Sequence, residues 1–401
     1  MLRKDFVLHK TKNLLCEFLN PIIANTDKPR QKFLRQAVAA ILLSGCLVVK
    51  ELTRWIHDDC SDLFYRLKRL LNHLVSPCGD LSAAVAGYRQ SLARYISADT
   101  PLIIDITDLA KPRAERMEYL ANVYDGSEHK LVPGYWCMEV YAHLKHKRVL
   151  PLAMDVYSVE DPAVGGRNLQ IERTVDAVNK AVNGNGVWIG DRDFDALNLY
   201  EIWFSRNCHF VIRQCGDRYV VTPNGVHIFQ RDLTEHLRQR AARANANTDI
   251  VFCKVHLPNN PRPLYLVASW RAGKGEPLLL LTTLVVENLQ QAEQIVWYYK
   301  QRWACEEASQ FLKSQIGLEC FRIRRYRAIQ RLLTLAMLAM GFLTWILLRN
   351  SRLVKALYSF TSRFRKQPQF VYYRLLEGLQ QYARLRQLRL AKTSLKLLRN
   401  G

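Results

Sequence analysis

Acidic side chains are scarce in this chain: 36 Asp and Glu stand against 58 Lys and Arg in 401 residues, leaving a formal charge of +22 and a pI near 9.7. That imbalance favours a polyanionic partner, and charge alone admits DNA, RNA or an anionic membrane. No C-x-x-C pair occurs among the ten cysteines at 16, 46, 60, 78, 137, 208, 215, 253, 305 and 320. Neither a zinc site nor a disulfide framework is indicated. Cys137 and Cys253 lie in apolar strand-like runs, where free Cys behaves as a small buried hydrophobe, and a reducing cytoplasm is expected. The opening MLRKDFVLHKTKN lacks the apolar core of a signal peptide, and no internal repeat is visible. A second long apolar run is also missing. The single candidate, Leu332 to Leu348, sits at the short edge of the spanning range of about 17 to 25 residues and reads as a helix buried against a sheet, not a membrane crossing.

With 49% hydrophobic and 23% charged residues the chain is globular, and its length suits two or three domains. Residues 1–98 are predicted to be a helical DNA-binding domain, with apolar periodicity through Phe33 to Val49, Glu51 to Ile56 and Leu63 to Val75. SGCLVVKELTRWI followed by SDLFYRLKRLLNHL reads either as a helix-turn-helix or as part of a plain bundle. In the second segment Arg66, Lys68 and Arg69 are placed to reach phosphate while Leu63, Leu67, Leu70 and Leu74 pack inward. Asp80 is an expected N-cap. From about residue 100 strands take over in PLIIDITD, GYWCMEVYAHL and VLPLAMDVYS, joined by turn-forming YDGSEHK and KHKR. A helix follows from Gly166 and ends at the glycine-rich stop Asn183 to Gly186. Residues 217–276 form a β-rich segment, interrupted by a basic Ala-rich stretch at 235–247. LLLLTTL at 278–284 resumes the first pattern. The tail, 349–401, holds 13 Lys or Arg and one acid, Glu377, and reads as a phosphate-contacting arm or a solvated helix.

The most informative stretch is YKQRWACEEASQFLK, Tyr299 to Lys313. At about 100° of rotation per residue, Tyr299, Arg302, Glu306 and Lys313 fall within a helical sector roughly 60° wide. A carboxylate flanked by two cations and a phenol on one face is the mixture needed to hold a divalent metal and grip phosphates.

The spacing Y-x-x-R-x-x-x-E-x-x-x-x-x-x-K resembles the signature of DDE transposases in the insertion-sequence family numbered four. That resemblance extends over about residues 100 to 345. It implies two upstream aspartates, each ending a strand of a ribonuclease-H-like core: Asp105 in PLIIDITDLAKP and Asp191 in GVWIGDRDFD. The implied fold is an α/β ribonuclease-H-like mixed sheet divided as 99–216 and 277–348, with 217–276 inserted, a helical domain before it and a basic helical tail after it. The implied activity is cut-and-paste transposition: terminal inverted repeats are bound, their ends cleaved, and the 3′-OH joined to target DNA. Two Mg²⁺ ions, which Mn²⁺ can replace, would be held by Asp105, Asp191 and Glu306, since carboxylates suit hard cations. Thr107, Arg213, Tyr299, Arg302 and Lys313 would contact DNA, and a homodimer would form the synaptic complex, in a bacterial cytoplasm at the nucleoid. Asp193 competes with Asp191 for the ligand role, Asp108 and Glu307 neighbour other ligands, and Asp195 is expected to cap the next helix. One departure is Leu278, where several family members carry a Trp that stacks a flipped base during hairpin formation, a role left here to Trp270 or another ring. A nuclease or resolvase without strand transfer, and a domesticated DNA binder without catalysis, are the competing functions.

Overall fold

Five α-helices precede the first strand in the computed structural model, which describes residues 4–56, 62–77, 79–126, 128–246, 249–270, 275–361 and 370–399. They are α1 (Lys4–Ile23), α2 (Lys28–Ser44), α3 (Val49–Thr53), α4 (Leu63–Val75) and α5 (Ser82–Leu92). Local chemistry sets their ends. Asp27 caps α2 by accepting the Arg30 N–H at 2.7 Å, and Gly45, at φ +62°, closes it by donating its N–H to the Ile41 carbonyl. Asp80 accepts the Ser82 N–H at 3.0 Å at the start of α5.

The turn of the expected helix-turn-helix includes residues 57–61, which lie outside the described residues. Of the expected first helix, α3 is little more than one turn, ending at Thr53, and α4 begins at Leu63. Leu70 and Leu74 are buried as expected, but Leu63 is 48% exposed. It belongs to the first turn of α4, which projects past the bundle with Phe64 and Tyr65 also exposed.

The strands then follow in one mixed sheet: β1 (Pro101–Ala110), β2 (Ala121–Asp125), β3 (Lys130–Leu144), β4 (Arg148–Tyr157), β5 (Val187–Gly190), β6 (His209–Arg213), β7 (Tyr219–Val221), β8 (His227–Phe229), β9 (Ile250–Leu257), β10 (Asn260–Ser269) and β11 (Leu278–Thr282). Its order is β2-β3-β1-β5-β6-β11-β10-β9-β7-β8, with β4 also paired to β3. Strands β1, β3 and β4 are antiparallel, whereas β1, β5 and β6 run parallel. Parallel neighbours need long crossovers. These are supplied by α6 (Arg167–Ala181), which reaches β5 from β4, and α7 (Leu197–Ser205), which joins β5 to β6. The 217–276 segment extends the same sheet, because β11 pairs with both β6 and β10. The basic stretch near 235–247 is mainly helical, within α8 (Gln230–Arg243).

After the sheet come α9 (Leu289–Lys300), α10 (Trp303–Phe311), α11 (Tyr326–Arg349), α12 (Ser351–Tyr358) and α13 (Tyr372–Arg399). Helix α11 is long and apolar enough to cross a membrane, yet 89% of its most apolar window is buried inside the protein. It lies on β4, α2 and α4, and Thr344 donates to the Val149 carbonyl at 2.8 Å. Burying each large apolar side chain contributes roughly 1.5–3 kcal/mol, so a helix apolar on nearly every side is stabilised by core on nearly every side. The tail is not a free arm over its described part: Leu353, Leu357, Phe370, Tyr372, Leu375, Leu376 and Leu379 are buried in the same core. The side chains of Arg386, Arg389, Lys392, Lys396 and Arg399 lie outside the described residues.

Candidate active site

Strands β1 and β5 pair only through Pro101–Ile103 and Val187–Ile189. Beyond that point they part, and Asp105 and Asp191 sit at the opening. Asp191 directly follows β5, as the sequence suggests. Asp105 does not end its strand: β1 continues five residues to Ala110 because β3 keeps supplying antiparallel partners. The opening lies at the carboxyl ends of parallel strands, where α/β sheets place ligands.

Helices α9 and α10 bring the third carboxylate. The expected single helix is two, meeting at Gln301 and Arg302, and a π-helical turn follows at Leu312–Ile316. Glu306 lies in the first turn of α10. Arg302 bridges the assembly: its Nη1 is 3.4 Å from Asp105 Oδ2, and its Nη2 donates to Glu306 Oε1. Asp105 and Glu306 thereby meet through one guanidinium. Burial and the nearby Asp191 charge push the Asp105 carboxyl up to about 6, against the opposing pull of Arg302 and the Ile106 N–H. Burial also raises Asp191, opposed by the Asp193 N–H, which donates to its Oδ1 at 2.9 Å. Among the described residues no three carboxylate, imidazole or thiolate groups form a ready-made metal site.

A groove of about 520 Å³ is lined by Asp105, Thr107, Glu306, Ser309, Gln310 and Lys313. Four of the residues named from sequence therefore share one opening. Lys313 is already paired there, 3.0 Å from Glu319 and 3.5 Å from Asp108. Burial opposes its charge, but these carboxylates outweigh burial and hold its ammonium above the ordinary lysine value. Tyr299 is buried at the end of α9, outside the residues lining the groove. Arg213 ends β6 opposite Leu280, and its buried Nε lacks a hydrogen-bond partner. No described contact joins it to the carboxylates.

The neighbouring acids resolve differently. Asp193 turns to Arg167 at 3.2 Å. Asp195 does not cap α7: its carboxylate, 1% exposed, accepts from Arg218, Tyr200 and the Cys215 N–H. The buried carboxylate takes a guanidinium in preference to a helix end because the ion pair offsets its desolvation. Trp270 packs with Val251, Ala268 and Leu279, and the Arg238 guanidinium lies 4.5 Å from its ring centre. That buried ring does not offer the exposed stacking face expected of a stand-in for the missing Trp at Leu278.

Two features were missed in the sequence. Glu139 is fully buried beside Asp105 and bonded to Ser309, and burial pushes its carboxyl up to about 7. Nothing in the pattern of β3 marks it apart from a charged residue in an apolar run. The second is a cleft of about 810 Å³ beyond the end of β1, lined by Lys111, Arg113, Arg116, Arg322 and Arg324 with Glu115 and Glu319. The run FRIRRYR at 321–327 supplies two of those five cations and was a readable signal.

Residues 97–342, more than half of the chain, match the transposase DDE domain. The chain belongs to that family. This transposase is also similar to a solved structure, the cryo-EM structure of the piggyBac transposase synaptic complex with hairpin DNA. The identity is 14% and the TM-score 0.48, with 95% of this chain and 81% of that chain covered. No curated protein sequence matches.

Proposed function

We propose that this transposase binds the terminal inverted repeats of an insertion sequence, cleaves at those ends and joins the freed 3′-OH to target DNA. The meeting of Asp105 and Glu306 through Arg302, inside the matched domain and beside Asp191, carries this reading. The Tyr299, Arg302, Glu306 and Lys313 spacing supports membership of the insertion-sequence family numbered four. The strand order β4-β3-β1-β5-β6, three antiparallel strands followed by two parallel ones, supports a ribonuclease-H-like core.

The carboxylates fit a divalent ion by donor chemistry, since Mg²⁺ and Mn²⁺ prefer oxygen ligands. They fit also by charge, because burial and the Asp191 charge raise Asp105, and a bound cation opposes both. Asp105, Asp191 and Glu306 would hold two such ions, which supply charge neutralisation and an activated oxygen nucleophile. The remaining work falls to the chain. Arg302 offers a planar fork for a phosphate and Lys313 a point charge. Thr107, on the groove face with Asp105, adds a hydroxyl near the cut, and Tyr299 and Arg213 complete the DNA contacts. The cleft lined by Arg113, Arg116, Arg322 and Arg324 would carry duplex phosphates leading away from the groove. A homodimer would pair the two ends within the cytoplasm.

An excision assay tests this reading, using a plasmid with a marker between the gene's native flanking sequences. Wild type should release and reinsert the marker, while Asp105→Asn and Glu306→Gln should lose at least about a thousandfold, in line with removal of a group acting only in the transition state. Excision undiminished in Glu306→Gln would sink the proposal. Cleavage without joining would favour a nuclease or resolvase.

A further inference from the structure

Strand β3 places Glu139 directly opposite Asp105, and residues paired across antiparallel strands project from the same face. That face is covered by α10, where Ser309 donates its hydroxyl hydrogen to Glu139 Oε2. Ser309 lies three residues after Glu306, on the same side of the helix. Glu139 thus stands beside Asp105 and fastens the helix that carries Glu306.

A packing role alone does not explain a carboxyl at this position. Glu139 is 0% exposed, forms no described ion pair, and leaves its buried Oε1 without a hydrogen-bond partner. An unpaired buried carboxyl opposes folding, and an apolar side chain of similar size would avoid that opposition. Tyr141 neighbours it on the same strand, so the contact that reaches another element is the link to Ser309. It complements Arg302, which ties Asp105 to Glu306 at the groove, where the side chains are 20% to 37% exposed. One cross-link lies at the mouth of the site and the other at its floor.

We infer that Glu139 and Ser309 form a positioning pair that sets the height and rotation of α10 over β1, and so holds Glu306 at its working distance from Asp105. The inference rests on the reading of Asp105 and Glu306 as partners around a divalent ion. Neither Glu139 nor Ser309 is assigned a contact with DNA.

The test uses the full chain, Mn²⁺ binding followed by electron paramagnetic resonance, and cleavage of a duplex made from the gene's native flanking sequence. Ser309→Ala and Glu139→Ala should each weaken Mn²⁺ binding by roughly tenfold, the effect expected when support for a ligand is lost. Both should slow cleavage at saturating duplex without changing duplex affinity. Glu139→Gln, whose amide oxygen can still accept from Ser309, should recover most of both losses. The Glu139→Ala, Ser309→Ala double variant should be no worse than either single change, since one link is broken only once. Mn²⁺ binding and cleavage within about twofold of wild type in Ser309→Ala would overturn the inference, even if Glu139→Ala proves unable to fold. So would a Glu139→Gln as impaired as Glu139→Ala. Glu306→Gln serves as the control on the underlying reading: if it keeps wild-type Mn²⁺ binding and cleavage, the assignment of the site itself has failed.

Discussion

Arg302 reaches Asp105 Oδ2 at 3.4 Å with one terminal nitrogen and donates to Glu306 with the other, although Asp105 lies 197 residues earlier in the chain. One cation therefore neutralises two of three carboxylates gathered at the end of the parallel strands. In a half-buried site such pairing is worth more than at a surface, and its loss leaves uncompensated charge.

Arg302→Ala should lower the melting temperature of the metal-free protein by several degrees, consistent with about 1–3 kcal/mol for stranding partly buried carboxylates. Saturating Mg²⁺ should recover more of that loss than it adds to wild type. Arg302→Lys should recover little, because an ammonium does not span two carboxylates as a planar fork does. Calorimetry with and without Mg²⁺ measures all three effects. A wild-type melting temperature in metal-free Arg302→Ala would contradict the bridging role.

The pH dependence of stability follows from Asp105. Its carboxyl is raised from 3.8 to about 6, so between those values the folded state keeps a proton that the unfolded state has released. Stability of the metal-free protein should therefore fall as pH rises from about 4 to 6, by on the order of 3 kcal/mol from this group. Asp191 and Glu139 are raised as well and add in the same direction. Asp105→Asn removes its own part and should melt higher than wild type at pH 7 while being inactive, the trade seen when a functional site holds repelling charges. Melting curves across pH 4.5 to 7 for both proteins test the sign. A wild-type curve as flat as that of Asp105→Asn would refute it.

Arg322 and Arg324 line the basic cleft, remote in sequence from Arg113 and Arg116 on its other side. If duplex phosphates lie there, Arg324→Ala should weaken binding about equally for all DNA sequences. It should also lower the slope of log affinity against log salt by roughly one. Binding measured by fluorescence anisotropy at several salt concentrations decides this. An unchanged slope would move the duplex to another face.

Much of the architecture was legible because it is written in short-range patterns. The apolar runs before Asp105 and Asp191 are strands because their alternation or continuity matches a sheet buried on both faces. The run at Leu332–Leu348 is core because it has no polar side to show to water. Other features were hidden. The run PLIIDITD reads as strand past Asp105, where the resemblance ends it; Leu109 and Ala110 were not apparent, since their pairing depends on β3, a strand about thirty residues away. The break at Gln301 leaves no mark in the sequence beyond an unbroken helical pattern. Asp195 reads as a cap from its place before α7, but Arg218 claims it in three dimensions. Trp270 reads as an available ring until its burial with Leu279 is seen.

The spacing from Tyr299 to Lys313 was enough to point to the DDE transposases, a family the matched domain bears out, and through that resemblance to single out Asp105, Asp191 and Glu306 as candidates. Such motifs survive in one dimension because each depends on one strand or a few helical turns. Tertiary structure alone decided that Arg302 bridges two carboxylates, that Lys313 is held by Asp108 and Glu319, and that Glu139 lies beside Asp105 in reach of Ser309. Those relationships join distant segments through sheet register and helix packing. Their energies come from charges brought together away from water, and no local pattern records which distant residue will arrive.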